Sequence, residues 1–138
     1  MTTPEIYQFI ANEKLGVLSS ISADGTPQSA LVGIAVTPEL EIIFDTLLSS
    51  RKAHNLTLNP RCSFVIGWSG EITVQLEGAA RQPSGPALEH YQKIYFTRWP
   101  DGPARLKWPG ISYFVVRPIW VRYSDYDQNP PLIQEFNF

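Results

Sequence analysis

Hydrophobic and polar positions along the chain fall into short runs whose period changes at turn residues. Between Thr3 and Glu13 the apolar residues Ile6, Phe9 and Ile10 recur at helical spacing behind a Thr-Pro pair, which predicts a short amphipathic helix. Leu15 to Ser22 is apolar and β-leaning and runs into Ala23-Asp24-Gly25-Thr26-Pro27, a turn in which Gly supplies positive φ and Pro a fixed one. A second strand is expected at Gln28 to Val36, closed by Thr37-Pro38-Glu39, and a third at Glu41 to Thr46. Leu47 to Leu58 reads as a short helix, capped by Ser49 or Ser50 and stopped at Asn59-Pro60. Cys62 to Trp68 is a buried strand. In Glu71 to Arg81, Ile72, Val74 and Leu76 alternate with Thr73, Gln75 and Glu77, giving a strand with one apolar and one polar face. Ser84 to Phe96 is a helix with Leu88, Tyr91 and Tyr95 on one side, and Trp99 to Gly110 is a proline-rich loop. Ser112 to Tyr123 is expected to hold two strands broken near Pro118, followed by a polar tail.

Six or seven short strands with two or three peripheral helices predict a mainly β protein, a small antiparallel barrel in one domain over residues 1–138. Composition narrows the function. Charged residues are 17% of the chain against the roughly 25% usual for soluble domains, while hydrophobics reach 43%, so part of the surface is expected to lie against a partner. A net charge of −2 and a pI of about 5.6 argue against a nucleic-acid or anionic-membrane surface, which needs a basic face. The one cysteine, Cys62, excludes an intrachain disulfide, and His54 and His90 form no cluster with metal-ligand spacing. With no signal-like start and no apolar run of the roughly 18–20 residues a span needs, the expected location is the cytoplasm.

The informative stretch is Phe44 to Pro60, FDTLLSSRKAHNLTLNP. A helix start offers unpaired N–H groups and a positive dipole end, which favour acids. Here Ser49 and Ser50 are followed by Arg51 and Lys52 instead. A phosphate held by hydroxyls, N–H groups and two cations resolves that conflict; an exposed helix start whose cations face water is the alternative. Gly33, inside the second strand, marks either a close approach of another group or a bulge that lets a barrel turn. Thr73, Gln75 and Glu77 line either a pocket or a solvated face.

The run FDTLLSSRKAHNLTLNPRCSFVIGW resembles the cofactor segment of the pyridoxamine 5′-phosphate oxidase-like family, the FMN-binding split barrels. LGVLSSISADGTPQSALVGIAV upstream and EITVQLEGAAR downstream are similar to the same family, and together these cover residues 15–81, about half of the chain. The resemblance implies a six-stranded antiparallel split barrel that forms a homodimer with two FMN sites at the interface. It implies that the flavin phosphate lies on Thr46, Ser50, Arg51 and Lys52, and the ring along Ser29, Ala30, Leu31, Val32 and Gly33. Backbone N–H groups near Ala30 to Val32 are expected to tune the ring, with Thr73 and Gln75 at its edge. Trp108, Trp120 or Arg122 either reach across to the other subunit's flavin or pack the interface.

Departures from the family's vitamer oxidases are equally specific. Ala30 and Ala35 stand where those enzymes carry basic residues, and Tyr95-Phe96-Thr97-Arg98 only partly matches their vitamer-phosphate helix. The expected function is therefore that of a small general member, an FMN-dependent oxidoreductase acting on a small molecule. The alternatives are a non-catalytic flavin-binding or stress-related protein, and a split barrel holding a deazaflavin or haem.

Overall fold

Thr2, one residue before the expected cap, starts the first helix of the computed structural model, which describes residues 1–138. Its hydroxyl accepts from the Glu5 N–H while the Glu5 carboxylate accepts from the Thr2 N–H, and Pro4 sits in the first turn of α1 (Thr3–Ala11). Ile6 and Ile10 point into the core. The strands are β1 (Leu15–Ile21), β2 (Pro27–Gly33), β3 (Ala35–Val36), β4 (Ile42–Leu47), β5 (Arg61–Ile66), β6 (Ile72–Arg81), β7 (Ile111–Asp125) and β8 (Leu132–Asn137). Two further helices, α2 (Arg51–Leu58) and α3 (Gly85–Arg98), and a 3₁₀ segment at Gly102–Lys107 lie between them. No helix is long and apolar enough to cross a membrane.

All strand pairs are antiparallel, in the order β2-β1-β5-β6-β7-β4-β3, with β8 on the other part of β7. The two ends of this path, β2 and β3, are consecutive in the chain and separated only by Ile34. One stretch of backbone therefore closes the sheet on itself, pairing with β1 in its first half and with β4 in its last two residues. Where it changes partner the barrel is split. Inward-facing residues fill the interior: Phe44 stacks on Phe114 at 5.5 Å and meets Phe64 edge-on at 6.1 Å, beside fully buried Leu18, Ile42, Ile66, Val74 and Leu76. A second, smaller core of Ala35, Ile43, Tyr91, Tyr95, Tyr113 and Val115 lies between α3 and the outside of the barrel.

The fold class agrees with the sequence expectation, but several boundaries differ. Eight strands replace six. The strand expected over Gln28–Val36 divides at Ile34 because its halves pair with different neighbours. The helix expected from Leu47 begins at Arg51, since β4 runs through Leu47 and a turn with Ser50 N–H bonded to the Leu47 carbonyl follows. Ser112–Tyr123 is not two strands but part of one, β7. Pro118 is absorbed by a bulge in which Glu77 faces Trp120 and Gly78 faces Pro118, leaving Ile119 extra. Gly78 is required there, because a Cβ would lie 2.3 Å from the Arg117 carbonyl oxygen. The polar tail becomes β8, whose alternating half-buried residues cover the edge of β7 from Trp120 to Asp125.

Candidate functional site

Ser50 precedes α2 in an extended conformation and accepts from the Ala53 N–H at 3.2 Å, the expected capping geometry. Behind it, Thr46 at the end of β4 shares a hydrogen bond with the Ser50 hydroxyl at 3.0 Å and is itself buried. Arg51 Nε donates to Gln28 Oε1 at 3.1 Å, and buried Asn55 donates to the same oxygen at 2.9 Å and to the Ser20 hydroxyl at 3.0 Å. Gln28 thus ties the first turn of α2 to β2. The N–H groups of Arg51 and Lys52 have no acceptor in the chain, and the first turn holds no acid. Neither Arg51 nor Lys52 takes part in an ion pair.

These groups border two adjoining depressions. The larger, about 720 Å³, is lined mainly by polar residues, among them Ser22, Asp24, Gln28, Ser49, Ser50, Arg51, His54 and Asn55. The smaller, about 200 Å³, is lined by Ser20, Gln28, Ser29, Ala30, Arg51 and Lys52. Asp24 is the one acid at the rim. It accepts from the Ser22 hydroxyl and the Thr26 N–H, and these bonds bring its carboxyl down to about 2. Its charge is committed to its own turn.

The register identifies the free donors of the split. Ile34 N–H bonds to Lys14 and Ser22 N–H to Thr26, which continue the β1–β2 pairing outward at both ends. Alternation then directs the even-numbered amides, Gln28, Ala30 and Val32, toward β1 and leaves those of Ser29, Leu31 and Gly33 on the free edge. Tyr95 closes the upper end of the split. Its hydroxyl donates to Asp45 Oδ1 at 3.1 Å and lies 3.4 Å from the Gly33 carbonyl oxygen, while Arg105 bonds Asp45 Oδ2 at 2.8 Å. Burial first, and then the Asp45 charge, push the Tyr95 hydroxyl well above the usual phenol range.

Of the residues singled out in the sequence, Ser29, Ala30, Ser50, Arg51 and Lys52 converge, and Thr46 supports Ser50 from behind. Leu31 projects outward, 59% exposed, and Val32 is buried in the core. Thr73, Gln75 and Trp120 do not join them. Thr73 and Gln75 lie on β6, three strand spacings or about 14 Å along the sheet from β2. Trp120 on β7 carries the Arg122 guanidinium over its ring at 5.6 Å. Gln28 was not singled out, although its phase with Ala30 and Val32 on the inward face of β2 marks it as a polar residue facing the interior.

Comparison with known proteins agrees with this architecture. The family model described as pyridoxamine 5′-phosphate oxidase matches residues 2–127. A pyridoxine/pyridoxamine 5′-phosphate oxidase of Burkholderia cenocepacia (strain HI2424) is 26% identical over 125 residues, 83% of this chain and 56% of the relative, so the chain spans little more than half of that enzyme's length. Among solved structures, a haem-binding protein from Mycobacterium smegmatis superposes with a TM-score of 0.85 at 18% identity, covering 99% of this chain and 58% of the other. General stress protein 26 from Bacillus anthracis str. Sterne superposes with a TM-score of 0.73 at 20% identity, covering 97% and 98%. At these identities the two structures speak for the fold.

Proposed function

The chain belongs to the pyridoxamine 5′-phosphate oxidase family, and from that premise we propose that it binds FMN and acts as an oxidoreductase on a small molecule. The observation that carries this reading is the start of α2: two cations without counter-charge and two N–H groups without acceptors, beside a polar cleft. A terminal phosphate dianion satisfies all four, whereas cations at that end are otherwise unfavourable. Arg51 and Lys52, with the first-turn N–H groups, would hold the phosphate, and Ser50 and Thr46 fix the turn that presents them. The free-edge N–H groups of Ser29 and Leu31 supply donors for the polar edge of the ring. When bound, FMN supplies the hydride or electron transfer. The chain's part is to hold it, to orient it and to limit access of water.

The same reading includes a homodimer. Leu31, Val17 and Val65 are register partners in one row on the outer face of the sheet, an apolar strip across three strands with Leu31 and Val65 exposed. Covering this face with a second copy brings the remote Thr73, Gln75 and Trp120 of one protomer into play for the other. Haem is the competing ligand, supported by the likeness to the Mycobacterium smegmatis protein and by His54 at the cleft. The polar lining and the paired cations favour a phosphate over a porphyrin face. Titrating ligand-free protein with FMN, followed by flavin fluorescence, tests the reading: saturation near one FMN per chain is expected, and no saturable binding contradicts it. Reduction of the bound flavin by NADH or NADPH then separates an oxidoreductase from a flavin-binding protein without turnover.

A further inference from the structure

Residues 27–36 form one stretch whose even-numbered backbone groups face β1 and whose odd-numbered groups face β4. Thr37 N–H bonds to Glu41, and Ala35 pairs with Ile43, but the β3–β4 ladder stops there. Continued in the same register, it would set Gly33 opposite Asp45 and Leu31 opposite Leu47, and the free-edge amides would be consumed. The Tyr95 hydroxyl stands at this first missing rung, between the Gly33 carbonyl and the Asp45 carboxylate, with Arg105 fixing the carboxylate from the far side. One turn on, Trp99 covers Gly33 so closely that a Cβ there would lie 2.7 Å from its ring, and its Nε1–H donates to the Ile34 carbonyl at 2.9 Å. The Tyr95 side chain is almost fully buried and stacks on Trp99 at 6.5 Å, so the two act as one body on the last turn of α3.

We propose that Tyr95 is a positioning residue: its hydroxyl holds the β2 and β4 edges apart at Gly33 and Asp45, with Trp99 packed over Gly33 as its support, and so keeps the Ser29 and Leu31 N–H groups available to a ligand. The consequence for FMN rests on the function proposed above; the separation of the strands does not. Backbone amide exchange in the ligand-free protein, followed by NMR, tests it. In the native chain the Ser29 and Leu31 amides should exchange much faster than those of Ala30 and Val32. In Tyr95→Phe, which keeps the ring and removes the bridging hydroxyl, the Leu31 and Asp45 amides should slow by about tenfold as the edges close. FMN affinity should fall by about tenfold in the same variant. A Tyr95 that only stabilises the core would speed exchange throughout the sheet without slowing Leu31 or Asp45, and that result overturns the proposal. Should native protein bind no FMN, the flavin reading fails while the exchange data still decide the positioning role. Should Tyr95→Phe not fold, Asp45→Ala, which removes the carboxylate that the Tyr95 hydroxyl bridges to, is read at the Leu31 amide with the same expectation.

Discussion

At the scale of single residues, the account turns on charges left without partners. Arg51→Ala with Lys52→Ala removes both cations from the start of α2 while sparing the Ser50 cap, so thermal stability should be unchanged or slightly raised. FMN retention should be lost, measured as flavin carried through gel filtration. A double variant that keeps its flavin would show that the phosphate lies elsewhere. Tyr95 gives a pH signature. Burial and Asp45 raise its folded ionisation above the unfolded value of roughly 10, so the stability it contributes is complete below that pH and is lost as pH rises through the folded value. The thermal midpoint should therefore fall above about pH 10, and fall less steeply in Tyr95→Phe. Cys62 is raised to about 12 by burial alone, so a thiol reagent at pH 8 should label it only after unfolding.

At the scale of elements, Ser50→Ala should cost about 1 kcal/mol of stability through loss of the α2 cap, read from urea unfolding. It should also weaken FMN binding, because the same hydroxyl orders the turn through Thr46. The cation-bearing start of α2 was legible in the sequence because serines and cations at a helix start contradict a local electrostatic rule within five residues. The turns that join the strands between Leu15 and Thr46 were legible in Asp24-Gly25-Thr26-Pro27 and Thr37-Pro38-Glu39. Less visible were features that depend on distant partners. Nothing local separates Gly33 from Ala35, yet Gly33 stands opposite Leu15 with its own N–H on the free edge, while Ala35 pairs with Ile43 on β4. Pro118 reads as a strand breaker until the Gly78 bulge opposite is known. The tail reads as polar because β8 buries only alternate residues. Tyr95 reads as a core aromatic on a helix face, and its hydroxyl bridge is set by residues 50 or more positions away.

At the scale of the whole molecule, the split barrel leaves one sheet face carrying an apolar row and one cleft carrying unneutralised cations. In the proposed homodimer a second copy covers this row, so the 15.6 kDa chain should sediment as a dimer. Leu31→Glu with Val65→Glu places a charge at each flank of that row and should yield a folded monomer by analytical ultracentrifugation, with FMN held more weakly if the interface completes the site. An unchanged dimer would place the interface on another face. The central claim is that the cleft between α2 and β2 holds the phosphate of FMN. Its most direct test is the visible absorption spectrum of the purified protein, with mass spectrometry of the molecule released by heat. A flavin spectrum and release of FMN are the predicted result. A colourless protein that also fails to take up added FMN, or one whose spectrum and released molecule are those of haem, would contradict it.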